Sequence, residues 1–254
     1  MLKEILKKSF QRLGYNISAI SKSTGEIIYP ADFEDLHKKV IEEVKDFTMT
    51  SPERLYGLIE GIRYITKKKI SGDVVECGVW KGGSMMAVAK TLQSVSDTER
   101  NLYLFDTFDG MSEPSAKDVD NTGNTAKQLM DAREKTEEDI IWATSPLDKV
   151  KQNLFSTNYP KDKIHFVQGM VEQTLPYDSI KSIALLRLDT DWYESTKHEM
   201  ETLFPLLQKG GVLIIDDYGH WKGAREAIDE YLAKHNITLL LNRLDYTGRI
   251  GIKQ

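Results

Sequence analysis

The sequence predicts an α/β fold built on a doubly wound, mostly parallel sheet. Short apolar runs recur along the chain, and most of them end at glycine or at an acidic residue. Stretches with helical spacing separate these runs. The 254 residues suffice to bury a large core without disulfide or metal staples, and sheets of this size often form one domain.

The elements follow in order. Val74–Cys77 is the first apolar run and leads into glycines. Leu102–Phe105 ends at Asp106, Ile164–Val167 at Gln168–Gly169, Ile183–Leu188 at Asp189, and Val212–Ile215 at Asp216–Asp217. Thr238–Leu241 and Arg249–Ile252 complete the set. Continuous aliphatic and β-branched runs of this length suit strands covered on both faces. Helices are expected over Ser84–Gln93, Pro146–Phe155, Ser195–Leu207 and Gly223–Lys234, with Gly210–Gly211 stopping the third and admitting a strand. Alternation of this kind gives right-handed crossovers and parallel pairing. The Asn242–Gly248 link is too short for a crossover helix, so the last two strands should form an antiparallel hairpin. Seven strands ending in such a hairpin resemble the Rossmann-like layout of class I methyltransferases.

Residues 1–70 read as an N-terminal helical cap segment, and 71–254 as one compact unit. Leu55, Leu58, Ile59, Ile62 and Ile65 share one helical face. Lys67–Lys69 reads as a solvated helix end, favourable against the C-terminal dipole. Segment 112–145 follows a strand end, is rich in acids and has few strand signals, so it is expected to be a partly helical lid.

Charge and composition narrow the function. Thirty-four basic against 39 acidic side chains leave a formal charge of −5, which argues against nucleic acid as partner. Cys77 is the single cysteine, which excludes an internal disulfide or a multi-cysteine zinc site and suits a reducing compartment. Charges interrupt the first residues where a signal peptide needs an apolar core. No run approaches the roughly 20 apolar residues of a membrane span. A cytoplasmic protein with no membrane partner is expected.

The strongest local signal is Glu76–Cys–Gly–Val–Trp–Lys–Gly–Gly–Ser84, a strand entering a glycine-rich turn that opens a helix. Glycines admit close approach of a ligand, and a helix N-terminus favours negative charge. A phosphate-binding P-loop needs lysine after Gly83, where Ser84 stands. The dinucleotide pattern needs glycine where Trp80 stands. What remains is a carboxylate near the first strand end and another, Asp106, ending the second. Asp106 suits ribose hydroxyls, and Glu76 suits an ammonium. Together they fit a ligand with an amino-acid end and a nucleoside end, namely S-adenosylmethionine; a plain tight turn with Glu76 paired locally is the alternative.

The second signal is Asp189–Thr–Asp191 after the fourth strand and Asp216–Asp217 after the fifth. Neighbouring strands lie about 4.8 Å apart, so these carboxylates converge on one crevice. Like charges so close repel unless a cation sits among them, and hard oxygen ligands suit Mg²⁺. Exposed acids at loop starts are the simpler alternative.

The chain resembles the macrocin O-methyltransferase (TylF-like) family of sugar O-methyltransferases. The resemblance lies in Thr48–Met–Thr50 with Arg54–Leu55, Val75–Ser84, Phe105–Asp–Thr–Phe–Asp–Gly110, Leu186–Arg–Leu–Asp–Thr–Asp–Trp–Tyr–Glu–Ser–Thr196 and Gly210–Gly–Val–Leu–Ile–Ile–Asp–Asp–Tyr–Gly219. It implies metal-dependent methyl transfer from S-adenosylmethionine to a sugar or glycoside hydroxyl. It implies Asp189, Asp216 and Asp217 as metal ligands and Asp191 as general base. Glu76, Gly78, Ser84 and Asp106 become cofactor contacts, Gly169 and Met170 lie by the adenine, and Met49 covers the methionine end. A homo-oligomer is compatible with the N-terminal helices.

Weaker candidates remain. His220 is an exposed loop residue, a substrate contact or an alternative base. Trp80 walls the cofactor or caps the sheet; Trp192 and Tyr193 stack on a sugar or pack in the core. Cys77, His37, His165, His198 and His235 read as structural. A metal-dependent glycosyltransferase would use Asp189–Thr–Asp191 for a nucleotide-sugar but leaves Glu76, Asp216 and Asp217 idle. Aspartate phosphatases need threonine or valine where Tyr193 stands. A catalytically dead cofactor-binding scaffold would not need these carboxylates. A catechol-type acceptor also fits, because any vicinal diol chelates Mg²⁺.

Overall fold

The computed structural model of the chain describes residues 29–254. The helices expected before residue 29 lie outside the described residues. Phe33–Gln254 forms one compact unit.

The described residues build a seven-stranded sheet in the order β3-β2-β1-β4-β5-β7-β6. The strands are β1 (Asp73–Cys77), β2 (Leu102–Asp106), β3 (Ile164–Gln168), β4 (Ile183–Leu188), β5 (Leu207–Ile215), β6 (Asn242–Arg243) and β7 (Arg249–Ile252). β1 to β5 pair in parallel, and β7 is antiparallel to both β5 and β6. The expected fold class and closing hairpin are therefore present. The order reverses between β1 and β4, and in such sheets ligands bind beyond the strand carboxyl ends at that point.

Helices cover the sheet: α1 (Asp35–Val44), α2 (Pro52–Lys67), α3 (Gly83–Ser94), α4 (Ala126–Asp131), α5 (Leu147–Phe155), α6 (Val171–Thr174), α7 (Tyr193–Thr202) and α8 (Lys222–Lys234). Ser51 caps α2 by accepting from the Arg54 N–H, with Pro52 at the first helical position. Leu55, Leu58, Ile59, Ile62 and Ile65 are then buried as one stripe, worth about 1.5–3 kcal/mol per side chain. β4 is buried along its whole length, and its interior includes a charged residue, Arg187.

Two local expectations are corrected. α7 ends at Thr202 instead of Leu207, because Pro205 cannot continue an α-helix and the chain tightens into a 3₁₀ turn over Phe204–Leu206. Leu207 already pairs with Ile183, and Gly210–Gly211 lie inside β5 instead of before it. The register jumps between Leu207 and Val212, and Gly210 takes a positive φ of 80° at this bulge. At the other end of the chain, β6 begins at Asn242 and not at Thr238. Leu239 and Leu241 still pack on the core while Leu240 is exposed, so the side chains alternate before the backbone pairs.

In segment 112–145, α4 carries a Thr125–Gln128 capping box. Asp118 ties this segment to α7: its Oδ2 accepts from Ser115, and its Oδ1 accepts the Tyr193 N–H at 2.7 Å.

Gly78 fixes the spacing of β1 and β4 at their carboxyl ends. Its φ is +81°, and a Cβ there would sit 2.0 Å from the Asp189 carbonyl oxygen. Gly78→Ala should therefore destabilise the protein by more than about 2 kcal/mol, through backbone strain and a displaced Asp189. Urea denaturation checks this; a variant within about 0.5 kcal/mol of the parent contradicts it.

Candidate active site

The glycine turn after β1 is shaped by one carboxylate. Trp80 and Gly82 adopt positive φ, which bends the chain back toward β2. The Val79 and Trp80 N–H groups donate to Asp106 Oδ2 at 2.6 and 3.1 Å, and the Phe108 N–H donates to Oδ1 at 2.7 Å. Burial raises the Asp106 pKa against these hydrogen bonds, which favour the anion. The Gly169 N–H donates to the Asp106 carbonyl at 2.9 Å and so brings the β3 end alongside.

Residues 47–50 lie against this turn. A Cβ on Gly83 would meet the Phe47 carbonyl at 2.6 Å, so glycine lets the segment sit on the α3 N-terminus. Ser84 Oγ lies 3.5 Å from Thr48 Oγ1 and 3.4 Å from Thr50 Oγ1.

The acidic residues converge as the strand order requires. Asp189, Asp191 and Asp217 each offer a carboxylate oxygen within 4.8 Å of the others. Asp216 is engaged differently. Its Oδ2 accepts from Arg54 Nη1 and its Oδ1 from Arg187 Nη2 at 2.5 Å. Arg187 also donates to Glu76 Oε1 at 2.6 Å, Asp189 Oδ2 at 2.7 Å and Thr50 Oγ1 at 2.9 Å. Glu76 is 1% exposed and stands behind Arg187, with Oε2 lacking a hydrogen-bond partner.

With Asp245, which also pairs with Arg54, six carboxylates thus gather around two guanidiniums. The surplus of negative charge appears in their protonation. Burial, and then Asp189 and Asp216, push Asp191 up to about 7. Burial raises Asp217, with Asp191 and Asp216 adding to it, and raises Asp189 despite Arg187. Burial likewise lifts Glu76 to about 7. The hard oxygen donors of Asp189, Asp191 and Asp217 fit a divalent cation such as Mg²⁺.

A cavity of about 420 Å³ opens over both features. Met49, Gly78, Ser84, Asp106, Gly169, Met170 and all four aspartates line it, so the expected site residues share one space, with Glu76 set behind the wall. Met111, Ile140 and Ile141 from the expected lid region line it as well. Trp192 joins the lining but is 3% exposed, donating to the Ser112 carbonyl and packing edge-on against Trp221. Tyr193 is buried and donates to Glu230, which makes it a packing residue. His220 is half-buried at the cavity wall, its Nδ1 without a partner, and burial lowers its pKa.

Arg54 and Arg187 receive no role from the sequence analysis. Arg187 carried a signal, since a lone arginine inside the apolar run Ile183–Leu188 needs buried partners. Tyr246 and Thr247 line the cavity from the β6–β7 turn and carried no comparable signal.

Comparison with known proteins places the chain. The family described as Macrocin-O-methyltransferase (TylF) matches residues 17–250. A Streptomyces olivaceus protein, 8-demethyl-8-(2,3-dimethoxy-alpha-L-rhamnosyl)-tetracenomycin-C 4'-O-methyltransferase, is 32% identical over 201 residues, covering 79% of this chain and 73% of its own. Demethyldecarbamoylnovobiocin O-methyltransferase of Streptomyces niveus is 29% identical over 201 residues, covering 79% of this chain and 73% of its own. The solved structure of the O-methyltransferase NovP superposes with a TM-score of 0.70 at 28% identity, covering 82% of each chain.

Behind the acidic loop lies Glu199, fully buried. Its Oε1 accepts from Thr190 Oγ1 at 2.9 Å, and its Oε2 has no partner. Burial raises its pKa from 4.5 to about 8. The folded protein therefore keeps a proton that the unfolded chain releases above pH about 4.5. This contribution to stability is complete below that pH and is lost as pH rises toward about 8, by about 1.4 kcal/mol per unit. Glu199→Gln should accordingly lose less stability than the parent between pH 5 and pH 8 in urea melts. Parallel losses would contradict a neutral Glu199.

Proposed function

The chain belongs to the macrocin-O-methyltransferase family and is an S-adenosylmethionine-dependent O-methyltransferase; from that premise we propose that it methylates a hydroxyl of a sugar or glycoside with the help of a divalent cation, as in natural-product or polysaccharide biosynthesis. The observation that carries this reading is the surplus of carboxylates at the β4 and β5 ends, in the same cavity as the glycine turn. The relatives' names support a sugar acceptor: one is named for a rhamnosyl-tetracenomycin, and two others for demethyldecarbamoylnovobiocin and for the 3'' position of mycinamicin III. A glycosyltransferase reading would leave the glycine turn and Asp217 without work.

In this proposal each residue has a defined task. Asp106 holds the glycine turn and offers its remaining acceptor capacity to ribose hydroxyls. Glu76 supplies negative charge behind the methionine end, Ser84 and Met49 border that end, and Gly169 and Met170 border the adenine. S-adenosylmethionine supplies a sulfonium methyl group. A divalent cation bound at the acidic cluster supplies positive charge that lowers the pKa of a neighbouring hydroxyl.

Asp189 and Asp217 would hold it together with Asp216, the set that the resemblance implies; Asp191, which now stands closest to Asp189 and Asp217, would then be left free to act as base. Asp191 takes the proton from the attacking hydroxyl, from its place in the cavity wall beside Asp189 and Asp217. The protein otherwise positions the two reactants, which supplies much of the rate in a transfer of this type. Among the described residues no helix is long and apolar enough to cross a membrane. A cytoplasmic site of action agrees with the free thiol of Cys77.

Asp189→Ala should abolish cation-dependent methyl transfer while S-adenosylhomocysteine binding stays within about threefold of the parent by calorimetry. Retained turnover would remove Asp189 from the cation site. Asp191→Asn should slow transfer by roughly 10²-fold or more, the usual contribution of a positioned base, with the cation still bound. An unchanged rate would remove the base assignment.

A further inference from the structure

Arg54 joins three separate segments at the edge of the cavity. Nη1 donates to Asp216 at the end of β5. Nε lies 3.0 Å from Asp245 Oδ2 in the β6–β7 turn. Nη2 donates to the Met49 carbonyl at 3.2 Å, in the segment bordering the cofactor cavity. Room for the side chain is built into the turn: a Cβ on Gly248 would lie 2.7 Å from Arg54 Cδ. Ser51 strengthens the junction, donating to Asp245 Oδ2 at 2.8 Å.

Both oxygens of Asp216 are therefore taken by guanidinium groups, Oδ2 by Arg54 and Oδ1 by Arg187. Each oxygen keeps a second lone pair, but a cation approaching Asp216 meets a guanidinium on either side, and withdrawal of one of them would relieve that repulsion. Arg187 has four partners, and its side chain is 3% exposed. Arg54 lines the cavity, is 12% exposed, and already has a second carboxylate, Asp245, within reach. Arg54 is the one free to yield.

We propose that Arg54 is a positioning residue that competes with the divalent cation for Asp216 and, through Met49, couples occupancy of the acidic cluster to the segment bordering the cofactor. The inference rests on the cation reading above. With Arg54 on Asp216, the close trio is Asp189, Asp191 and Asp217. With Arg54 moved onto Asp245, Asp216 joins Asp189 and Asp217, and Asp191 is released to act as base. The same movement carries a positive charge away from the cation and shifts a hydrogen bond on the Met49 carbonyl.

Mn²⁺ binding, read from the electron paramagnetic resonance signal of the free ion, tests this without turnover. Arg54→Met should bind Mn²⁺ at least tenfold more tightly than the parent, and Arg54→Lys, which keeps the charge, should stay within about threefold. Asp245→Asn takes away Arg54's second carboxylate and should weaken Mn²⁺ binding several-fold. In the parent, Mn²⁺ should change the affinity for S-adenosylhomocysteine, and in Arg54→Met that dependence should vanish.

Equal or weaker Mn²⁺ binding by a cooperatively folded Arg54→Met would overturn the proposal. If that variant does not fold, Asp245→Asn decides, and unchanged or tighter binding there overturns it. A parent protein that binds no Mn²⁺ defeats the cation reading itself, which is a different result from a parent that binds and a variant that does not tighten.

Discussion

The Arg187 guanidinium lies at the centre of the sheet, held by Glu76 on β1, Asp189 beyond β4, Asp216 beyond β5 and Thr50 from the N-terminal side. Burying a charge at such a place costs several kcal/mol and is tolerated only when the geometry supplies full pairing. Each partner comes from a different segment, so the requirement to satisfy one guanidinium fixes the relative positions of all of them. The same requirement gathers more carboxylate than two arginines neutralise, which leaves a site that favours further positive charge. Packing and chemistry are in this sense one constraint.

Two close backbone approaches complete the arrangement. Gly78 lets the Asp189 carbonyl press against the end of β1, and Gly83 lets residues 47–48 lie on the start of α3. The glycine turn is thereby held between the acidic loop on one side and the N-terminal segment on the other. Asp106 sets the shape of the turn from β2, and its own carbonyl receives the β3 end through Gly169. A cofactor lying across the β1–β2–β3 ends would meet the acceptor over the β4–β5 ends, which is where the reaction needs them.

Much of this was legible in the sequence because β1 to β5 are buried on both faces, and burial writes itself as continuous apolar runs. Asp189, Asp191, Asp216 and Asp217 could be placed together from strand adjacency alone. Less legible were features decided by tertiary competition. Leu207 has helical spacing from Met200 and Leu203, yet Pro205 breaks the helix and β5 claims the residue. Thr238–Leu241 has strand composition, yet pairing starts only at Asn242. The engagement of Asp216 by Arg54 depends on residues 162 positions apart, and no local pattern reports it. Glu76 was expected to face a ligand, and it is its pairing with Arg187 that sets it behind the cavity wall.

Thermal unfolding with S-adenosylhomocysteine, with a UDP-sugar and with neither, each with and without Mg²⁺, tests the central claim most directly. A ligand at about 100 times its dissociation constant adds roughly 2.7 kcal/mol, a shift of about 5 °C for a chain of this size. The account predicts a rise in melting temperature with S-adenosylhomocysteine, a further rise when Mg²⁺ is added, and none with the UDP-sugar. Stabilisation by UDP-sugar and Mg²⁺ alone, with no response to S-adenosylhomocysteine, would contradict it.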